Sequence, residues 1–248
     1  MRAARVGGLQ IGGGAVLVAT ALSDSVDGML RGVDRVRAAG ADCVELRIDR
    51  LAGPDDVVAL VHRVEAPHIV ACRTPRFGGH FEGSETERIE RLEAASEAGA
   101  TAVDIEYLAE PALRDRLMST ARKHGTPVLV GYEDMQKTPP MGTLIEGLRG
   151  VAKLSPDLVK LAVRATSHED LLTVLRTVLE MRQVVDAPYA AIALGPHGAA
   201  SRPLACVLGA SFTYCAVEGE AAAGQLTVAE TRSVLRTVSE QRWSCSSS

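Results

Sequence analysis

DLVKLAV, residues 157–163, is a short apolar run that carries one lysine, Lys160, in its middle. Seven further runs of similar length are spread along the 248-residue chain: AVLVAT from Ala15, DCVELRI from Asp42, HIVACR from His68, TAVDIE from Thr101, PVLVGY from Pro127, PYAAIAL from Pro188 and ASFTYCA from Ala210. Runs of this length that are rich in Val, Ile, Leu and Ala are typical of buried parallel strands. The eight runs therefore predict a parallel β-structure that extends over the whole chain.

Longer amphipathic segments lie between the runs. VDGMLRGVDRVRAAG is predicted to be a helix that stops at Gly40. SETERIERLEAASEAG begins with a capping box from Ser84 to Glu87 and stops at Gly99. Further helices are predicted to begin at Ser167 and Thr227. Eight strand–helix pairs in 248 residues predict an α/β fold, a single-domain (β/α)8 TIM barrel over residues 1–248.

An open doubly wound sheet is the alternative architecture. Such a sheet normally carries a glycine fingerprint after its first strand, where a dinucleotide phosphate binds. Here the first strand ends in ATALSDS, and the glycines of GGLQIGGG come before it. These glycines are predicted to turn a small hairpin in residues 1–14, beneath the barrel. The terminal residues 243–248 are predicted to be a disordered tail.

Composition restricts the possible partners. The formal net charge is −4 without a run of one sign, which argues against a nucleic-acid partner. No stretch reaches the roughly 20 apolar residues of a membrane span, and the N-terminus lacks the apolar core of a signal peptide. The five cysteines are scattered and predict neither a disulfide framework nor a zinc site: Cys43, Cys72, Cys206, Cys215 and Cys245. We therefore expect a soluble cytoplasmic protein without a metal.

Strand alternation places charged side chains inside the predicted barrel. Val44, Leu46 and Ile48 share one face of the second run and should contact the helices. The residues between them, and charged residues of the other runs, are expected to point into the barrel. These inward charges are Glu45, Arg47, Asp49, Arg73, Asp104, Glu106, Glu133 and Lys160. Buried charge is costly unless it is paired or used. The set is either a structural ion network or a catalytic centre at the carboxyl ends of the strands, and its size favours the second.

Lys160 is the most informative of these residues. It lies in mid-strand between the inward positions Leu158 and Ala162. Burial and nearby positive charge are expected to lower its pKa. A neutral amine can attack a ketone or aldehyde and form an imine, which then withdraws electrons. The alternative is a lysine in a salt bridge with Glu45 or Glu106.

The ordered set of motifs resembles one family, the type I 3-dehydroquinate dehydratases. The motifs cover nearly the whole chain: ELRID at 45–49, CR at 72–73 followed by GG at 78–79, DIE at 104–106, TP at 138–139, DLVKLAV around Lys160, GAASR ending at Arg202 ahead of the seventh helix, GASFTY from Gly209, and GQ at 224–225. Each motif alone is weak, but their common order is specific.

The resemblance implies a homodimeric TIM barrel that needs neither metal nor cofactor. It implies removal of water from 3-dehydroquinate to give 3-dehydroshikimate through a lysine Schiff base, in the shikimate pathway and thus in aromatic amino acid biosynthesis. Lys160 would form the imine. The hydroxyls and carboxylate of a small anionic keto substrate would be bound by Glu45, Arg47, Arg73, Arg202 and Gln225. A guanidinium fork suits a carboxylate.

The sequence departs from the family pattern at the site. GYEDM at 131–135 places Glu133 where a motif like SYHDF has its acid/base histidine. FGG begins with Phe77 where EGG is usual, and AAAGQ has Ala221 and Ala223 where SAPGQ has a serine and a proline.

Glu133 becomes the candidate base, and the loop histidines His80 and His197 are alternatives expected on the catalytic face. Asp104 and Glu106 are further candidates for the site. The remaining histidines lie in helices, at helix ends or at a strand start and lack metal-ligand spacing: His62, His68, His124 and His168.

Three functions remain open from the sequence. The first is dehydration of 3-dehydroquinate with Glu133 as base, which a carboxylate can perform if a dry site raises its pKa. The second is a Schiff-base lyase or aldolase-like enzyme of a secondary pathway, acting on another keto substrate that suits a more apolar pocket at Phe77 and Ala221. The third is a binding protein without catalysis. Enone absorbance with 3-dehydroquinate would separate them.

Overall fold

The computed structural model of the protein describes residues 2–217 and 224–240. Ala221, Ala223 and the predicted tail at 243–248 lie outside the described residues. No described helix is both long enough and apolar enough to cross a membrane.

Eight parallel strands form a nearly closed barrel, which confirms the predicted fold class. They are β3 (Val16–Leu22), β4 (Cys43–Arg47), β5 (His68–Ala71), β6 (Val103–Glu106), β7 (Val128–Asp134), β8 (Leu158–Arg164), β9 (Tyr189–Leu194) and β10 (Phe212–Cys215). From β3 to β9 each strand pairs with the next in chain order, and β10 pairs with β3. Between β9 and β10, the Ser211 amide donates to the Tyr189 carbonyl at 2.8 Å.

Eight α-helices surround the barrel. They are α1 (Val26–Ala38), α2 (Pro54–Val61), α3 (Glu85–Glu97), α4 (Pro111–His124), α5 (Met141–Lys153), α6 (His168–Val184), α7 (Ser201–Val207) and α8 (Val228–Glu240). The capping box predicted at Ser84 and Glu87 is present at the start of α3. Ser167 caps α6 through the amide of Asp170. The GAASR segment differs from its prediction, because Arg202 lies in the first turn of α7 and not ahead of it.

Two apolar layers follow from the strand alternation. Val44, Leu46 and Ile48 are buried in the large core between strands and helices, as predicted. Leu158 and Ala162, which flank Lys160 on its own face, belong to the smaller core inside the barrel. The alternation therefore holds the lysine inside the barrel.

A two-stranded hairpin closes one end of the barrel. Its strands β1 (Ala4–Val6) and β2 (Leu9–Ile11) are antiparallel. Val6 and Ile11 are fully buried and belong to the inner core. The Arg2 amide donates to the Asp186 carbonyl at 2.7 Å and ties the hairpin to the chain before β9. Polar side chains that act on a ligand are therefore expected at the opposite end, where the strands have their carboxyl termini.

Candidate active site

A cleft opens at the carboxyl ends of the barrel strands. The residues that line it are Thr20, Glu45, Arg47, Arg73, Phe77, Gly78, Glu133, Met135, Lys160, Ala162, Ile192, Leu194, Arg202, Tyr214 and Gln225. The seven residues predicted for catalysis and substrate binding are all among them. Asp104 and Glu106 are buried beneath this lining.

Lys160 projects from β8 into the cleft and is held by two carboxylates. Its Nζ lies 2.7 Å from Oδ2 of Asp104 and 2.9 Å from Oε1 of Glu133. Burial and the charge of Arg73 act to lower the pKa of Lys160, but Asp104, Glu133 and Glu45 outweigh them and the pKa lies above its ordinary value. The expectation of a lowered pKa was therefore wrong, because the partners of the amine are mainly anionic. The resting side chain is an ammonium ion.

Arg73 lies at the centre of the charged network. Its guanidinium contacts Asp104 at 2.5 Å, Glu106 at 2.7 Å and Glu133 at 3.0 Å. Glu106 is also 2.8 Å from Arg88 of α3. Burial acts to raise the pKa of Asp104, yet Arg73 and Lys160 outweigh it and the pKa lies below its ordinary value. Asp104 therefore remains ionised beside the lysine.

Arg202 differs from the other buried arginines. It is only 2% exposed, and its NH1 donates to the Gly224 carbonyl at 2.6 Å. Within residues 2–217 and 224–240, no acidic side chain forms an ion pair with it, and its Nε is buried without a partner. Burial accordingly lowers the pKa of Arg202 to about 10. An anionic group in the cleft would supply the missing counter-charge.

Two residues of β4 face the cleft, and a third residue beyond the strand orients one of them. Glu45 Oε2 accepts from the Thr20 hydroxyl at 2.8 Å. Arg47 Nε donates to Asp49 Oδ1 at 2.8 Å, and the pKa of Asp49 is lowered by Arg47 against the effect of burial. Asp49 also accepts from the His80 amide at 2.9 Å. Asp49 therefore connects Arg47 to the loop after β5.

Steric limits explain why the loop carries two consecutive glycines, Gly78 and Gly79. Gly78 has φ +74°, which favours glycine, and a Cβ on Gly79 would lie 1.9 Å from the Arg73 carbonyl oxygen. The loop thus packs directly on the backbone of Arg73. It also buries Phe77, which is 7% exposed.

Apolar side chains also line the cleft. They are Phe77, Met135, Ile192 and Leu194. Charged residues of β4, β7 and β8 line the same cleft, together with Arg202. The cleft therefore offers apolar contact beside directed polar groups.

Neither loop histidine lines the cleft. His80 is exposed and lies 3.1 Å from the Arg50 guanidinium, measured from Nε2. His197 is exposed and stacks edge-on with His168 at 5.1 Å between ring centroids. Both residues follow barrel strands on the predicted face, but neither contributes to the lining of the cleft. Among residues 2–217 and 224–240, no group of three or more His, Cys, Asp or Glu is arranged to hold a metal ion.

Three residues of the site were not singled out from the sequence. Thr20 bonds Glu45, and Arg88 bonds the Cys72 carbonyl at 2.7 Å as well as contacting Glu106. The Tyr214 ring lies 5.3 Å from Lys160 Nζ. Burial raises the pKa of Tyr214 well above its ordinary value, so the phenol is neutral. Inward parity in β3 and β10 could have identified Thr20 and Tyr214, but a helix position such as Arg88 carried no comparable signal.

Comparisons with known proteins agree with one another. The family model of type I 3-dehydroquinase matches residues 18–242. The chain is 34% identical to a 3-dehydroquinate dehydratase of Methanosarcina barkeri (strain Fusaro / DSM 804) over 241 residues, which cover 93% of this chain and 97% of that protein. It is 34% identical to that of Thermococcus gammatolerans (strain DSM 15229 / JCM 11827 / EJ3) over 203 residues, 82% and 91% of the two chains.

Solved structures give the same picture. The 3-dehydroquinate dehydratase from Aquifex aeolicus VF5 is 28% identical with a TM-score of 0.74, over 90% of this chain and 98% of that one. The enzyme from Geobacillus kaustophilus HTA426 superposes with a TM-score of 0.90 over 97% and 98%. At 24% identity this second likeness concerns the fold alone.

Proposed function

The chain belongs to the type I 3-dehydroquinate dehydratase family, so it is a hydro-lyase that dehydrates 3-dehydroquinate, and we propose that Lys160 forms the imine and Glu133 transfers the protons. The observation that carries this proposal is the 2.9 Å between Lys160 Nζ and Glu133 Oε1. The similarities favour neither a lyase acting on another keto substrate nor a binding protein without catalysis.

The first step requires a neutral amine. Because the Lys160 ammonium ion contacts Glu133, the carboxylate can accept its proton when the substrate enters. The freed amine attacks the ketone carbon, and the carbinolamine loses water to give a protonated imine. That imine carries the same positive charge at Nζ as the resting ammonium ion. Asp104, held ionised 2.7 Å away, therefore stabilises the intermediate in a dry site.

Elimination is the second step. The protonated imine acidifies the neighbouring carbon, and Glu133 as a carboxylate takes a proton from that carbon. The electrons form the new double bond, and the hydroxyl on the next carbon leaves as water when it receives the proton that Glu133 has just taken, which restores the Glu133 carboxylate. Hydrolysis of the imine then releases the enone and regenerates Lys160. No residue outside the described cleft is required for the proton transfers.

The arginines and the other polar residues of the cleft orient the substrate. Arg202 is buried without an acidic partner among the described residues, so it is the guanidinium best suited to the substrate carboxylate. Glu45 and Arg47 line the same cleft, as does Gln225, and we assign them to the substrate hydroxyls. Arg73 already contacts three carboxylates and serves mainly to hold Glu133 and Asp104.

Borohydride trapping tests the imine. In the presence of 3-dehydroquinate, reduction should fix the substrate on the peptide that contains Lys160, and Lys160→Ala should abolish both trapping and enone formation. Lys153→Ala is the matched control, since Lys153 lies at the end of α5 outside the cleft. Enone formation at the native rate by Lys160→Ala would refute the proposal.

A homodimer in the cytoplasm is also proposed, by analogy with the family. Exposed large apolar side chains occur on neighbouring outer helices, which supports a protein interface there. They include Leu172 and Leu179 of α6 and Leu204 and Val207 of α7. Sedimentation at micromolar concentration should give twice the chain mass, and a monomer would contradict the analogy.

A further inference from the structure

Glu133 does not lie next to Lys160 in the strand register. Its partner on β8 is Ala162, whereas the partner of Lys160 on β7 is Gly131. Gly131 and Glu133 share the inward face and are two residues apart, which is about 7 Å along an extended strand. The Glu133 side chain must therefore fold back over Gly131 to bring its carboxylate to Lys160.

We propose that Gly131 is a positioning residue for Glu133, and this inference rests on the role of Glu133 in the proposed function. The absence of a side chain at position 131 leaves the space in which the carboxylate lies. A Cβ built on Gly131 would be 2.7 Å from Glu133 Oε1 and 3.3 Å from Glu133 Cγ. Oε1 is the same atom that contacts Lys160 and Arg73.

The backbone at Gly131 needs no glycine. Gly131 is not among the residues with positive φ, and it lies within β7, where an L residue is ordinarily allowed. The atom that a Cβ would meet most closely is the end of a flexible side chain. Alanine can therefore be accommodated if Oε1 moves away, so the cost falls on the position of the carboxylate and not on the fold.

The third contact of the added Cβ must be controlled separately. Lys160 Cε would lie 3.3 Å from it, which is close but not prohibitive. If the lysine moved, imine formation itself would change. Borohydride trapping of Lys160 distinguishes this effect from displacement of Glu133, because trapping reports on the amine and not on the elimination.

A double-mutant cycle tests the inference. Gly131→Ala in the native protein should lower kcat about 10- to 100-fold, since misplacing a reacting group by about 1 Å can cost about 100-fold. KM should change little, because Arg202 and Arg47 are untouched. In the Glu133→Ala background the clashing atoms are gone, and Gly131→Ala should change kcat by no more than about twofold. Trapping of Lys160 should persist in all four proteins.

Gly142→Ala is the matched control. Its Cβ would meet nothing within 4 Å, and Gly142 lies in the first turn of α5 outside the cleft, so kcat should stay native. An equal loss of kcat from Gly131→Ala in both backgrounds, or loss of trapping in Gly131→Ala, would overturn the inference while leaving the role of Glu133 intact. Native kcat in Glu133→Ala would instead remove the role of Glu133 and, with it, the basis of this inference.

Discussion

Replacing Arg202 by methionine should weaken substrate binding and at the same time stabilise the ligand-free protein. The guanidinium is 2% exposed and has no acidic partner among the described residues. Burial lowers its pKa to about 10, and this shift corresponds to about 3 kcal/mol at about 1.4 kcal/mol per pH unit. Methionine removes that cost, but losing the hydrogen bond from the charged guanidinium to the Gly224 carbonyl lowers the free energy of unfolding by about 1.5–3 kcal/mol.

The net gain in the free energy of unfolding is thus about 0–1.5 kcal/mol. For a chain of this size, that raises Tm by up to about 6 °C. Substrate binding, in contrast, should become weaker. Truncating one partner of a buried charge pair costs about 2–4 kcal/mol, so KM should rise about 30- to 1000-fold, with a smaller change in kcat.

Two measurements check both halves of this prediction. Initial rates of enone formation over a range of 3-dehydroquinate concentrations give KM and kcat, and thermal unfolding without ligand gives Tm. Arg73→Met is the control, because Arg73 contacts Asp104, Glu106 and Glu133 and its loss should lower Tm. Unchanged KM in Arg202→Met would remove Arg202 from the substrate site, and a lower Tm would refute the account of its burial.

Two further outcomes follow from the charged network. Glu133→Gln removes one of the three carboxylates that raise the pKa of Lys160, so more of the amine is neutral at a given pH. The acid limb of the trapping rate should shift to lower pH, and an unshifted limb would show that Glu133 does not control the pKa of the amine. Arg88→Ala leaves the buried Glu106 with one cation fewer and should lower the free energy of unfolding by about 3–5 kcal/mol. Tm should therefore fall by about 6–20 °C, and a native melting curve would contradict this.

The barrel and its inward face could be predicted because both depend on local patterns. Strand alternation correctly separated Val159 and Leu161, which pack against the helices, from Lys160, which faces the interior. The same rule brought Glu45, Arg73 and Glu133 to one cleft. Parity is a property of the chain itself, so it needs no knowledge of what lies across the barrel.

The pKa of Lys160 could not be predicted in this way. Its direction depends on which charges are nearest, and these come from β6 and β7 at a height set by the stagger of the strands. Parity places Asp104 on the correct face but not at 2.7 Å from Nζ. The same holds for His80 and His197, whose loops were placed on the correct end of the barrel but whose side chains do not line the cleft. Side-chain direction in a loop follows from contacts such as the edge-on pair with His168.

The role proposed for Gly131 rests partly on the sequence and partly on the coordinates. Its position two residues before Glu133, on the same face, can be read from GYEDM. That the carboxylate leans back over it, and not forward into solvent, requires the coordinates.

The hairpin beneath the barrel closes the interior at the end opposite the cleft. Beneath Lys160, the described interior is filled by Leu158, Phe212 and the hairpin residues Val6 and Ile11, all fully buried. Among the described residues, the route left for reactant, enone and expelled water is therefore the cleft at the carboxyl ends of the strands. The enone must leave this cleft before another substrate molecule can enter it. A compound seated in the mouth would thus block the enzyme without touching the lysine below.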